Sequence, residues 1–169
     1  MIVGGSDAVN QITQSIFLGP FASPARLGML RSAGITHVLN VGEAPSVLVA
    51  GPESMREVIW HAIEDLERIP TSAGIESLES LHRMVCQSNA RVYVHCVAGW
   101  NRSPTIVWLY LIACGRSREE AKATIEKRAR DAVPGHVKLA DATLVEEVQR
   151  HGRAHFLPHP RPDALVPFG

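Results

Sequence analysis

Residues 103–114, "SPTIVWLYLIAC", carry no charged side chain and are apolar almost all round a helical wheel. Such a helix has no face to give to water, so the rest of the chain must enclose it. Directly upstream, "RVYVHC" (91–96) is an apolar, β-branched stretch that reads as a strand. Strand, short loop and buried helix in that order set the loop at the carboxyl edge of a sheet. That edge is where α/β proteins hold their ligands.

The remaining chain supplies what is needed to cover such a helix. "SIFLG" (15–19), "ITHVLNV" (35–41) and "REVIWHAI" (56–63) read as three further strands. Leu27, Leu30 and Ala33 mark a helix ending at Gly34, and Ile75, Leu78, Leu81, His82 and Val85 mark another. Ser117 and Glu120 form a capping-box signature for a helix over 118–130, which Pro134-Gly135 breaks. Val137, Leu144, Val145 and Val148 suggest a last helix. Strands alternating with helices predict an α/β fold: a central, mostly parallel sheet with helices on both faces.

At 169 residues the chain suits one domain with a substantial core, expected over 1–155, with a Pro-rich tail over 156–169 that lies on the surface or frays. Seventeen basic side chains balance 17 acidic ones, which disfavours a nucleic-acid partner and an anionic membrane. No apolar run reaches the roughly 18–20 residues of a membrane span. The opening "MIVGGSDAVN" lacks the pattern of a secretory leader. Three cysteines, Cys86, Cys96 and Cys114, form no disulfide framework, and their odd number fits a reducing compartment. A soluble cytoplasmic domain is expected.

The loop after the fourth of these strands concentrates the chemistry. Val97, Ala98, Gly99, Trp100, Asn101 and Arg102 follow Cys96 and run into the buried helix. A loop of this kind curls so that successive backbone N–H groups converge, and Gly99 permits the curl. The helix adds its positive N-terminal end, and Pro104 fits the first turn, where an N–H is dispensable. Arg102 adds a planar, two-pronged donor that suits phosphate oxygens. Each of these favours negative charge at one point: a thiolate on Cys96 and a phosphate against it.

His95, Cys96, Arg102 and Ser103, with five residues between cysteine and arginine, resemble the H-C-x5-R-S/T loop of the cysteine-dependent protein tyrosine phosphatases. The short chain and "NRSPTIVWLYLI" are most similar to the dual-specificity branch. "QSIFLGPFASPARLGMLRSAGITHVLNVGEAP" and "SREEAKATIEKRARDAVP" extend the likeness to about residues 12–150. The resemblance implies that family's fold and a phosphatase working through a cysteinyl-phosphate on phosphotyrosine and phosphoserine or phosphothreonine. It also implies no cofactor and no metal. The partner is then a phosphorylated protein or another phosphomonoester.

The family places a general acid about thirty residues before the cysteine. Asp65, 31 positions upstream of Cys96, matches that place. Its neighbours Glu64 and Glu67 read as a solvated charge run. By the same resemblance Ser103 stabilises the departing thiolate, beside a plain N-cap role, and His95 orients the loop.

Position 101 departs from the pattern, being Asn101 where most dual-specificity enzymes have serine or glycine. Asparagine there also occurs in the RNA 5′-triphosphatase branch, the enzymatic alternative, although Val97 and Ala98 replace that branch's Thr-His. The non-enzymatic alternative is a phosphate-binding pseudophosphatase. Trp100 either flanks a flat substrate group or packs on a neighbouring loop. Cys86 and Cys114 read as buried structural thiols. His151, His155 and His159 recur every four residues, but Pro158 interrupts the series and no acid completes a metal site.

Overall fold

The computed structural model describes residues 9–158 and 165–169. Its strands are β1 (Asn10–Gln11), β2 (Ile16–Gly19), β3 (His37–Asn40), β4 (Glu57–Trp60) and β5 (Val92–His95). Its α-helices are α1 (Leu27–Ser32), α2 (Thr71–Val85), α3 (Arg102–Ala113), α4 (Arg118–Glu126) and α5 (Ala142–His155). The strands form one sheet in the order β1-β2-β5-β3-β4. All neighbours run parallel except β1, which pairs antiparallel with β2. β5, which leads into the cysteine loop, is central, and Tyr93 and Val94 pair with Phe17 and Leu18 on one side and with Val38 and Leu39 on the other.

Side chains alternate across the sheet, and each face has its own core. Ile16, Leu18, Leu39, Val92 and Val94 turn to the face covered by α2, α3, α4 and α5. Phe17, Val38 and Tyr93 turn to the other, where Leu30 of α1 meets Leu48 and Met55. The expected two-faced α/β architecture is present. It is asymmetric, with four helices on one side and one short helix plus irregular chain on the other.

All twelve residues of α3 are buried, as its apolar composition required. Its neighbour α5 comes so close that a Cβ at Gly152 would lie 1.9 Å from the Ala113 carbonyl oxygen. The capping box also forms: Ser117 Oγ accepts from the Glu120 N–H, and Glu120 Oε2 accepts from the Ser117 N–H.

Several boundaries differ from expectation. α2 begins four residues earlier than its apolar stripe, after Pro70. α4 ends at Glu126 rather than 130, and just beyond it Arg128 Nε donates to the Gln11 carbonyl at 3.1 Å. Val137 belongs to no helix and is 86% exposed; α5 starts at Ala142, capped by Asp141. The two-residue β1 is too short to show a period. The expected tail begins inside the fold, since Phe156 is buried and stacks on His82 with ring centroids 4.3 Å apart. Residues 165–169 lie on the surface without fraying: the Gln14 N–H donates to the Val166 carbonyl and the Phe168 N–H to that of Ile12. His159, most of the tail before Leu165, and residues 1–8, where a leader was sought, lie outside the described residues.

Candidate active site

β5 delivers His95 and Cys96 to the carboxyl edge of the sheet. The His95 ring is buried, and its Nδ1–H donates to the Cys96 carbonyl at 2.8 Å. Burial pushes His95 down to about 4, so the ring is neutral, and since a carbonyl only accepts, Nδ1 carries the proton. The ring also meets Phe21 edge-on at 5.1 Å. His95 is thus a buried core histidine whose hydrogen bond falls on the first carbonyl of the loop.

Beyond Cys96 the chain curls. Gly99 has φ +82°, and a Cβ there would sit 2.7 Å from the Gly19 carbonyl oxygen, so only glycine fits. The loop is pinned from both sides: the Phe21 N–H donates to the Val97 carbonyl, and the Val133 N–H to that of Trp100. α3 then starts, with Asn101 at its N-cap and no cap hydrogen bond from the Asn101 side chain. That leaves the positive helix end open to an anion. Ser103 Oγ lies 3.4 Å from Cys96 Sγ.

Arg102 is 95% withdrawn from solvent, with its guanidinium fixed at one end. Nη1 donates to Glu43 Oε2 at 2.5 Å and to the Ile63 carbonyl at 3.1 Å. Nε is buried without a hydrogen-bond partner among the described residues, 3.9 Å from Asp65 Oδ1. A buried N–H without a partner is costly, and an acceptor oxygen from a ligand would relieve that cost.

Sequence reasoning missed Glu43. Its loop is built by Asn40, whose Oδ1 accepts from the Gly42 N–H and whose Nδ2 donates to the Ala44 carbonyl and Ser46 Oγ. Trp60 Nε1 donates to the Gly42 carbonyl as well. One signal was available: "LNVGE" ends the strand beside β5, so its carboxylate had to emerge at the same sheet edge.

The three carboxylates of the acid loop part company. Asp65 lines a cleft of about 330 Å³ together with Glu43, Cys96, Val97, Ala98, Trp100, Asn101 and Arg102. Glu64 and Glu67 line a different cleft, against Arg68 and Ala73. The hydrogen bond that the protonated Glu67 carboxyl makes to Glu64, together with the like charge of Glu64, pushes Glu67 above its ordinary range. Trp100 is 48% exposed, on the wall between the catalytic cleft and a second cavity of about 300 Å³ that Lys127 and Arg130 line. It is thus half-exposed to the catalytic cleft while its other side faces the segment 127–132.

The site gathers Cys96, Arg102, Asp65, Ser103, His95 and the loop residues, and leaves the other thiols and histidines elsewhere. Cys86 and Cys114 are only half-buried, a correction to the expected burial, and Cys86 Sγ lies 3.7 Å from His82 Nε2. Burial pushes the Cys114 thiol up to about 11. Glu79 Oε1 lies 3.1 Å from His151 Nε2, but among the described residues no three His, Cys, Asp or Glu side chains are grouped as metal ligands. The His151 ring centroid is 4.4 Å from that of His155.

Comparison with known proteins agrees with this geometry. A family model described as "Dual specificity phosphatase, catalytic domain" matches residues 16–139. Dual specificity protein phosphatase 1B of Arabidopsis thaliana is 31% identical over 137 residues, spanning 79% of this chain and 78% of that protein. Dual specificity protein phosphatase 2 of Mus musculus is 30% identical over 139 residues, covering 82% of this chain but 43% of the relative. The chain therefore spans less than half of that longer protein. The crystal structure of PTPMT1 in complex with PI(5)P shares the fold, with a TM-score of 0.70 at 19% identity over 88% of this chain and 98% of that one. With the family's domain matched over most of its length, the chain belongs to the dual-specificity phosphatases and is a cysteine-dependent phosphatase.

Proposed function

We propose that Cys96 is the nucleophile, Arg102 the phosphate clamp and Asp65 the general acid and base of a phosphatase acting on phosphorylated protein side chains, both aryl and alkyl esters, in the cytoplasm. The buried Nε of Arg102 carries this reading. Nη1 donates to Glu43 and to the Ile63 carbonyl, while the buried Nε, without a hydrogen-bond partner among the described residues, is available to a phosphate oxygen in the cleft that Arg102 shares with Cys96.

The thiolate of Cys96 attacks phosphorus in line, forming the S–P bond as the bond to the leaving oxygen breaks. Loop N–H groups and Arg102 hold the equatorial oxygens. Asp65 passes its proton to the leaving oxygen. Water then attacks the cysteinyl-phosphate and gives its proton to Asp65, and the S–P bond breaks. The thiolate returns, hydrogen-bonded by Ser103 Oγ, and inorganic phosphate leaves. A reducing cytoplasm keeps Cys96 in the form this chemistry needs.

A kinetic panel tests the substrate class. Phosphotyrosine and phosphoserine or phosphothreonine peptides should all be turned over in the presence of a chelator. A 5′-triphosphate RNA and a phosphoinositide should be poor substrates. Turnover of the RNA with none of the peptides would overturn the reading.

A further inference from the structure

The position where the chain departs from its family, Asn101, is tied to the acid loop. Its Nδ2 lies 3.3 Å from Asp65 Oδ1 and 3.4 Å from Oδ2, so one amide spans both oxygens of the carboxyl. Asparagine is among the best N-cap residues, and Asn101 occupies the N-cap of α3, yet its side chain makes no cap hydrogen bond. It is turned to Asp65 instead. From the other side, the Leu66 N–H donates to Asp65 Oδ1 at 3.0 Å. That contact accompanies a left-handed backbone at Leu66, φ +59°, in a side chain that is itself exposed. A non-glycine residue in this conformation is a local strain. Asp65 is thus held at a fixed rotation between its own loop and the phosphate loop.

We infer that Asn101 is a positioning residue for the general acid. It locks the acid loop to the loop that carries Cys96 and aims the Asp65 carboxyl at the leaving oxygen. Serine at this position would end an atom short of that carboxyl, and glycine would offer no side-chain donor. The inference rests on Asp65 being the acid, as proposed above.

The test compares kcat/KM for wild type, Asn101→Ala, Asp65→Asn and the double variant on two esters. One is a phosphotyrosine peptide with a poor leaving group; the other is 4-nitrophenyl phosphate, whose phenol departs with little help. Asn101→Ala should lose about tenfold on the peptide, the effect of uncoupling one contacting pair, and less than about twofold on the activated ester. Vanadate affinity should not change, and the substitution should cost nothing further once Asp65 is Asn. A merely structural role would lower both esters alike and add to the Asp65→Asn loss; either result overturns the inference. Asn101→Ser, which keeps an N-cap hydroxyl, provides the same readout should the alanine variant fold poorly. If Asp65→Asn itself shows no split between the esters, the acid assignment fails and this inference with it. If Asp65→Asn shows the split and neither Asn101 variant does, only the inference falls.

Discussion

Two cysteines sit at the two ends of one helix, and only one is placed to be a nucleophile. Cys96 lies at the start of the loop that leads into the N-terminus of α3, with Ser103 Oγ 3.4 Å away and Arg102 lining the same cleft. Cys114 is the C-cap of the same helix, where backbone carbonyls gather and negative charge is disfavoured. Burial there pushes its thiol up to about 11, only partly offset by the Tyr110 hydroxyl. Residue type is identical, and both lie next to the same apolar helix. The surroundings decide which sulfur does chemistry, through the sign of the helix end and the donors at hand.

The largest expected effect contrasts the two ends directly. Cys96→Ser should lower phosphatase activity by about 10,000-fold or more, the scale seen when a nucleophile is removed. Cys114→Ser should change it by less than about twofold, being remote and uncoupled from the site. Similar steady-state losses in both variants would break the comparison.

Next comes Arg102→Lys, which keeps a charge but cannot serve Glu43, the Ile63 carbonyl and a phosphate oxygen at once. A loss of about 100- to 1,000-fold in kcat/KM is expected, with weakened vanadate binding measured by inhibition. Glu43→Gln removes the charge that steadies Nη1 and should cost about tenfold, chiefly in phosphate affinity. Unchanged vanadate affinity in Arg102→Lys would remove Arg102 from the anion site.

Much of this was legible beforehand, for reasons that particular residues make plain. Cys96 to Ser103 is contiguous, and a strand feeding an all-apolar helix admits few geometries. Hence the α/β fold, its mostly parallel sheet and the curl at Gly99 could be read from local chemistry. Asp65 was found by resemblance, since three carboxylates in four residues look alike until the backbone turns Glu64 and Glu67 to another cleft. Glu43 was missed because its partner is 59 positions away, and no local pattern encodes a contact across the sheet edge. Asn101 was noticed as a departure, but its bond to Asp65 exists only in three dimensions. At the end of the chain the described residues 165–169 lie on the surface, with Phe168 under the Arg128 guanidinium at 4.8 Å, whereas Phe156, counted with the tail, is buried against the core.

The smallest expected effects concern stability, and again each helix end has its own. His95, next to the loop, is pushed down to about 4 by burial, so the fold keeps it neutral while the unfolded chain takes a proton below 6.5. Stability should therefore fall as pH drops from about 6.5 toward 4, with His37 and His61, also lowered by burial, adding to the slope. Cys114 is pushed up to about 11 from 9, so the unfolded chain loses its proton first and stability should fall as pH rises from 9 toward 11. The His95 and Cys114 contributions are each on the order of 1–3 kcal/mol. Urea midpoints across pH should show a flatter acid limb in His95→Asn and a flatter alkaline limb in Cys114→Ala. An exchange of those two signatures, or no change in either, would contradict the assignment of the two ends.

The central claim, that Cys96 alone among the three thiols takes the phosphoryl group, has one direct measurement. Asp65→Asn is mixed with 4-nitrophenyl phosphate, quenched in acid within one turnover, digested and analysed by mass spectrometry. The activated phenol lets the first step proceed, and the missing base delays hydrolysis of the product. The mass of one phosphoryl group should appear on the peptide containing Cys96 and on no other. A phosphoryl group on Cys86, Cys114 or a histidine, or a burst of nitrophenol with no phosphorylated Cys96, would contradict it.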